Sequence, residues 1–259
     1  AIVSTDAAAR ALLRRARGRI DGFVVEHHTA GGHNAPPRRD RSAEGAGEPT
    51  YGPKDEADLK VFRGLDRPFW LAGGISSPAA VRNALAAGAH GVQVGTAFTA
   101  CRDSGFAPEI RAALSAHALA GDLEVCTDFR ASPTGYPFKI SNLPEGVAGY
   151  GDIEDRQRVC DLGYLRTVYL RDDGTPGYRC PAGPVNAFLA AGGAPEEIPG
   201  RRCLCNGLMA AIGLGQKRGP LVEGPIVTLG DDWSALAALA RRHGPDYGAS
   251  DVVAYLLSA

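Results

Sequence analysis

The sequence predicts an α/β fold built on a parallel sheet, because short apolar runs alternate with alanine-rich helical stretches over its first hundred residues. Two further features support this class: glycines directly follow two of the apolar runs, and a serine precedes one helical stretch as an N-cap. Four β/α units result. The predicted strands are 2–4, 22–25, 68–71 and 89–94, and the predicted helices are 6–17, one starting at Asp55 and one following Ser77.

The pattern changes beyond Thr96. A helix is predicted at 108–119 and a final helix at 234–242, and the Gly- and Pro-rich segment between them carries most of the six cysteines. We therefore expect two parts. Residues 1–105 hold the β/α units, and residues 106–259 form an α-rich, loop-rich cap.

The charge and hydropathy of the chain exclude two classes of partner. The net charge is −1 and the basic residues are scattered, so we expect no positive surface that collects nucleic acid. No apolar run approaches the roughly 20 residues that cross a bilayer, and the N-terminus lacks the features of a signal peptide. We expect a cytoplasmic protein that acts on a small molecule and binds no membrane.

Two glycine-containing loops predict a phosphate-binding site. The stretch FWLAGGISSP places Gly73 and Gly74 between a strand and a helix, and HGVQVGTAF places Gly95 and Thr96 at the equivalent point of the next unit. In (β/α)8 barrels, the loops after strands seven and eight bind phosphate, because glycine lets the anion approach and a helix N-terminus favours negative charge. The alternative is that these glycines only form tight turns.

Three motifs, in this order, resemble those of the nitronate monooxygenases, formerly called 2-nitropropane dioxygenases: AGGH at 30–33, LAGGI at 71–75 and GVQVGTAF at 91–98. The resemblance covers about residues 1–105. It implies a TIM barrel that binds FMN, with His33 as the catalytic base. The cofactor-binding residues that it implies are Gly31, Gly32, Ala72, Gly73, Gly74, Gln93, Gly95 and Thr96.

The resemblance implies oxidation of nitronates or nitroalkanes with O2. A sister group of the family implies an alternative, in which NADPH reduces the FMN and the flavin reduces an enoyl thioester in polyketide or polyunsaturated fatty acid synthesis. A third hypothesis is a non-catalytic subunit that has lost its flavin. For His33 itself, the alternative to a base is a loop histidine hydrogen-bonded to backbone.

The two predicted phosphate loops indicate which strands of a barrel this chain contains. If these loops follow strands seven and eight of a barrel, the four predicted strands are numbers five to eight, and the chain holds the second half of a (β/α)8 TIM barrel. A half barrel exposes two sheet edges and an apolar interior. We therefore expect a partner chain, or a missing N-terminal segment, that supplies the first four units.

The three histidines of EHHTAGGH raise the question of a metal site. Strand alternation is expected to send His27 and His28 to opposite faces, and no nearby cysteine completes a set of four ligands. We expect no metal here. One of these two histidines is instead expected to fill the barrel mouth beside His33.

Four cysteines of the second half are weak candidates for a metal or iron–sulfur site: Cys160, Cys180, Cys203 and Cys205. The gaps of 19 and 22 residues are irregular for such sites, and the Cys-x-Cys pair is too close to form an unstrained disulfide. Packed free thiols are the alternative. Cys101 and Cys126 are expected to be isolated core residues.

The segment TDFRASPTGYPFK, at 127–139, is rich in turn formers and hydroxyl groups and has two interpretations. In the first, it folds back over the barrel mouth and places Ser132, Thr134 or Lys139 near the flavin or substrate. In the second, it is a surface connection.

Overall fold

A computed structural model describes residues 1–38, 47–143, 147, 157–219 and 221–258. Four parallel strands form a sheet in which neighbours in space are also neighbours in sequence. The strands are β1 (Ile2–Val3), β2 (Phe23–Glu26), β3 (Phe69–Ala72) and β4 (Gly91–Gln93). The helices between them are α1 (Asp6–Arg15), α2 (Leu59–Arg63) and α3 (Pro78–Ala86). The predicted α/β class is confirmed.

Side-chain caps determine where these helices begin. Thr5 caps α1 and Ser77 caps α3, each accepting a hydrogen bond from a backbone N–H of the first turn. The helix predicted to start at Asp55 starts only at Leu59, with Asp58 as its cap. The prediction was wrong here because the Asp55 carboxylate accepts two backbone N–H bonds from the preceding loop and closes a turn instead.

The second part of the chain combines helices with antiparallel hairpins, so the prediction of an α-rich cap was incomplete. The predicted last helix is present but a further short helix follows it, which the sequence pattern did not show. The helices are α4 (Pro108–Ala120), α5 (Val185–Ala190), α6 (Leu204–Ala211), α7 (Ser234–His243) and α8 (Ala249–Leu256). The hairpins are β5 (Glu124–Asp128) with β6 (Phe138–Asn142), β7 (Thr167–Leu170) with β8 (Pro176–Arg179), and β9 (Lys217–Arg218) with β10 (Leu221–Val222). Within the described ranges, every helix falls short of the length and apolarity that membrane crossing requires.

One hydrophobic core is shared by the two parts of the chain. It joins Val81 of α3 and Ala97, which follows β4, to Leu114 of α4, Leu236 of α7 and Val252 of α8. Each of these side chains is at most 5% exposed, and full burial of one such large apolar side chain stabilises the fold by about 1.5–3 kcal/mol. The second part therefore holds the elements that follow β3 and β4 in place.

A second core packs α2 against the sheet. Phe23 of β2 and Phe69 of β3 both contact Phe62 of α2, with ring centroids 6.0 and 5.7 Å apart. All three rings are 1% exposed. Phe23 and Phe69 are the first residues of β2 and β3, so this packing anchors the amino ends of the two strands.

Candidate functional site

A cavity of about 340 Å³ lies at the carboxyl ends of strands β2, β3 and β4. Parallel α/β proteins bind ligands at this edge. Residues that follow each of the three strands line it, together with the segment 228–232 from the second part. The residues that were predicted to bind the cofactor all line this one cavity: Gly31, Gly32, Ala72, Gly73, Gly74, Gln93, Gly95 and Thr96.

Backbone geometry explains the glycines of the loops after β3 and β4. Gly73 and Gly74 have φ values of +91° and +69°, which side chains rarely permit. A Cβ on Gly73 would also lie 2.9 Å from the backbone nitrogen of Ala30. Gly95 differs, because its φ is −117° and a Cβ there would meet nothing within 4 Å. Gly95 therefore leaves open space beside the backbone, as an approaching anion requires.

The cavity offers neutral hydrogen-bond donors. Thr96 Oγ1 accepts the N–H of Gly230 at 2.9 Å, so its own proton remains available to a ligand. Thr228 Oγ1 accepts the N–H of Gly32 at 2.7 Å and is left with the same capacity. Helix α3 begins close behind the β3 loop and adds partial positive charge at its N-terminus.

Two carboxylates line the cavity, Glu26 and Asp232, and none of its described lining residues is Lys or Arg. Asp232 accepts hydrogen bonds from the hydroxyls of Ser76 and Ser234, and burial raises the pKa of Glu26. The raised pKa of Glu26 opposes its ionisation and so reduces the repulsion that an anion would meet, whereas the two hydroxyls stabilise the charged form of Asp232. The site therefore fits a phosphate held by backbone N–H groups and hydroxyls rather than by an ion pair.

The sequence analysis missed the segment 228–232 as part of the site. Asp231 N donates to Thr29 O at 3.0 Å, and a Cβ on Gly230 would lie 2.6 Å from the same oxygen. The segment therefore packs directly on the loop after β2. The available signal was the run Gly-Asp-Asp just ahead of α7, which is a further glycine turn followed by a helix.

His33 lies in a second, larger cavity of about 720 Å³, which shares Glu26 with the first. Its Nε2 is 2.7 Å from Ser132 Oγ, and its ring meets Phe138 edge-on with centroids 4.8 Å apart. Burial lowers the pKa of His33, so its imidazole is neutral at neutral pH. A neutral imidazole can accept a proton, which is what a general base must do.

The segment 127–139 folds back onto the His33 loop and is not a surface connection, while its placement near the flavin or substrate stays a prediction. Ser132 is fully buried and its Oγ also lies 2.7 Å from Thr134 Oγ1. Lys139 is 2% exposed, and its Nζ lies 2.7 Å from an Asp231 carboxylate oxygen. The hairpin β5–β6 and its turn thus hold the His33 ring in one position.

The expectation that His27 and His28 point to opposite faces was wrong. Their ring centroids are 4.0 Å apart, because β2 ends at Glu26 and both residues lie beyond the strand. Their ligand atoms lie within 4.8 Å of each other and of a Glu56 oxygen, as in a metal site. Both nitrogens of His27 are already engaged, however, by Thr29 Oγ1 at 2.8 Å and by Glu56 at 2.9 Å. Hydrogen bonding therefore accounts for His27, whereas the buried Nδ1 of His28 has no hydrogen-bond partner among the described residues. Both rings line the larger cavity with that of His33.

The four late cysteines line neither of these cavities. They surround a third and much smaller one together, although their spacing in the sequence is irregular. Cys101 is buried in the shared core as predicted, whereas Cys126 is only partly buried.

The fold and the site together define a parallel α/β protein whose strand ends suit a phosphate-bearing ligand. The nitronate monooxygenase family profile matches residues 1–135, just over half of the 259 residues. The chain therefore belongs to the nitronate monooxygenase family, whose members are FMN-dependent oxidoreductases. The family and the cofactor that the motifs implied are confirmed.

Solved structures match nearly the whole chain at low identity. FabK from Thermotoga maritima is 17% identical with a TM-score of 0.50, over 99% of this chain and 58% of that one. Nitroalkane oxidase from Streptomyces ansochromogenes is 22% identical with a TM-score of 0.48, over 98% and 55%. The chain spans little more than half the length of either protein, and the FabK match indicates a shared fold. No curated protein matched the chain.

Proposed function

We propose that the chain is the catalytic half of an FMN-dependent enzyme that oxidises nitronates or nitroalkanes with O2. The observation that carries this proposal is the imidazole of His33, held by Ser132 in the cavity that adjoins the glycine-lined one. Nitroalkane oxidation needs a base, because the α-proton must leave before the carbon can be oxidised. FMN, when bound, supplies the electron transfer, while the protein positions the reactants.

The loops after β3 and β4 are proposed to hold the FMN phosphate through their backbone N–H groups and the Thr96 hydroxyl. Gly32 has a φ of +83° and nothing within 4 Å of a Cβ, which leaves room for a flat ring. Gly31 is required for packing instead, because a Cβ there would lie 2.8 Å from the carbonyl carbon of Leu229. Its lack of a side chain lets the segment 228–232 pack against the loop.

The hydrogen bond to Ser132 determines which nitrogen of His33 reacts. With Nε2–H donating to Ser132 Oγ, the lone pair lies on Nδ1, which we propose as the atom that removes the α-proton of a nitroalkane. The imidazolium that results holds the nitronate anion by a charge-assisted hydrogen bond.

We also propose that residues 1–105 are strands five to eight of the barrel and that residues 106–259 are its cap. β1 is an edge of the sheet, and its Ile2 is 62% exposed. Ile2 and the apolar side chains of α1, among them Ala8 and Leu12, line the larger cavity. An open edge beside an apolar surface requires a partner. The first half of the barrel, from another chain or a preceding segment, would supply it.

The visible absorption spectrum and the intact mass of natively purified protein test this arrangement together. We expect flavin bands to accompany protein that includes the first half of the barrel, and the 259-residue chain alone to bind FMN weakly. Full FMN binding by that chain as a monomer would contradict the split barrel.

Anaerobic mixing tests the reaction itself. We expect a nitronate to bleach the flavin of the complete protein, and NADPH alone to leave it oxidised over the same time. The alternative, an enoyl reductase at the same site, requires the opposite result, because there NADPH is the reductant. Rapid bleaching by NADPH and none by the nitronate would therefore replace the proposed activity with the reductase.

A further inference from the structure

The third cavity, which all four late cysteines surround, has no part in the chemistry proposed for His33. Cys160 and Cys180 each begin a turn, while Cys203 directly precedes α6 and Cys205 lies in its first turn. We propose that these four thiols bind one structural zinc ion. This proposal concerns the second part of the chain and stands apart from the activity proposed for the protein.

Three separate segments of the chain meet at this cavity. A Cβ on Gly183 would lie 3.3 Å from Cys160 Cβ and 3.9 Å from Cys180 Cβ, so the two turns contact each other. Asn206 Nδ2 donates to Asp161 Oδ1 at 2.8 Å, which joins the first of these turns to α6. The fold thus brings the cysteines together through contacts other than their own.

Backbone N–H groups approach two of the sulfur atoms. The backbone of Gly163 hydrogen-bonds Cys160, and the backbones of Ala182 and Gly183 hydrogen-bond Cys180. Both turns have the sequence Cys-x-x-Gly. Burial is the larger effect and raises the pKa of both thiols, while these donors act in the opposite direction. A thiol that coordinates a metal ion loses its proton to the bound ion's charge.

The size of the cavity favours a single ion. Its free space is about 10 Å³, which is about one water-sized sphere and so is on the scale of one ion. Zinc takes four thiolates in a tetrahedron at about 2.3 Å. No three of the four sulfur atoms, all of which belong to described residues, lie within 4.8 Å of one another. Side-chain rotations must therefore draw them inward when zinc binds.

The region around the cysteines has little hydrophobic core. Among residues 157–200, all of them described, Phe188 is the one large apolar side chain that is buried. Leu170 is 76% exposed and Tyr164 is 71% exposed. A segment that buries so little apolar area needs another source of stability. A zinc ion that tethers three segments supplies it, because the free energy of metal binding becomes free energy of folding.

Metal analysis of the purified protein tests the site without reference to activity. Protein prepared without chelators should contain about one zinc per chain. Cys180→Ser and Cys205→Ser should each reduce the zinc content to background. Cys126→Ala, which changes a partly buried cysteine outside the cavity, should retain the zinc. Removing zinc with a chelator should lower the Tm of the wild type and of this control alike.

Zinc at background in the wild type would overturn the proposal, as would iron with acid-labile sulfide in its place. Equal zinc loss in Cys126→Ala would also count against a site made by these four residues. If the serine variants fail to fold, cobalt substitution of the wild type decides the question. Four thiolates around Co2+ produce intense visible bands, and a preparation that lacks them does not have the proposed site.

Discussion

Replacing His33 by alanine is expected to lower kcat/KM for a nitroalkane by about 10²- to 10⁴-fold without loss of FMN. His33 lines the larger cavity but not the glycine-lined one. Removal of its imidazole therefore takes away the base and leaves the phosphate loops intact. Steady-state oxygen consumption, with flavin content measured on the same samples, checks both parts of this prediction.

A comparison of two substrates isolates the proton transfer from the binding of the anion. A nitroalkane must give its α-proton to the enzyme, whereas the matching nitronate has already lost that proton. His33→Ala should therefore slow the oxidation of the nitroalkane much more than the oxidation of the nitronate. Equal loss for both substrates would mean that His33 only orients the anion. Unchanged activity with both substrates, measured in the reconstituted complex with the first half of the barrel, would remove His33 from the mechanism and favour a non-catalytic subunit.

The pH dependence of the wild type follows from the same assignment. Burial lowers the pKa of His33 from 6.5, so the neutral base persists to a lower pH than for an exposed histidine. Activity on the nitroalkane should therefore be retained at neutral and higher pH and should fall as the pH drops through the pKa, which lies below 6.5. Ser132→Ala serves as the companion variant, since it keeps the base but removes the partner of Nε2. It should reduce activity less than His33→Ala. If the activity of the wild type instead began to fall at a pH well above 6.5, His33 would be excluded as the base.

Replacing Gly95 by valine is expected to weaken FMN binding by roughly tenfold to a hundredfold, which corresponds to about 1–3 kcal/mol of overpacking. The φ of −117° suits any residue, and a Cβ at this position would meet no protein atom within 4 Å. The fold should therefore accept the valine. The side chain would occupy the space that the phosphate needs, and fluorescence titration with FMN measures the loss.

Gly18→Val is the matched control for this experiment. Gly18 likewise has no atom within 4 Å of a Cβ and no positive φ, but it lies outside both cavities. Its valine variant should bind FMN like the wild type. Weakened binding in both variants would indicate a general loss of stability. An unchanged Kd in Gly95→Val would move the phosphate away from the loop after β4.

Short-range sequence patterns predicted the parallel sheet and where its helices begin. The apolar runs became the four strands of the sheet, and Ser77 begins α3 because its hydroxyl accepts a backbone N–H from the first turn. The glycine pair after β3 was also recognisable, since a positive φ next to a helix start is a local requirement. Asp55 shows where such reasoning failed, because its carboxylate accepts N–H bonds from Arg38 and Gly52 in the preceding loop and no helix begins there.

The sequence by itself determined the α/β class, because strand periodicity, helix caps and glycine turns are set by residues a few positions apart. The family and its cofactor were implied by the resemblance of three motifs to those of a known family. Only the tertiary structure decided what surrounds the reactive groups. Ser132 reaches His33 across 99 positions of sequence, the segment 228–232 packs on the loop after β2, and four irregularly spaced cysteines share one cavity. Burial of a core common to both parts of the chain, which includes Leu229, brings the segment 228–232 to the site. No local pattern encodes which distant segments such burial brings together.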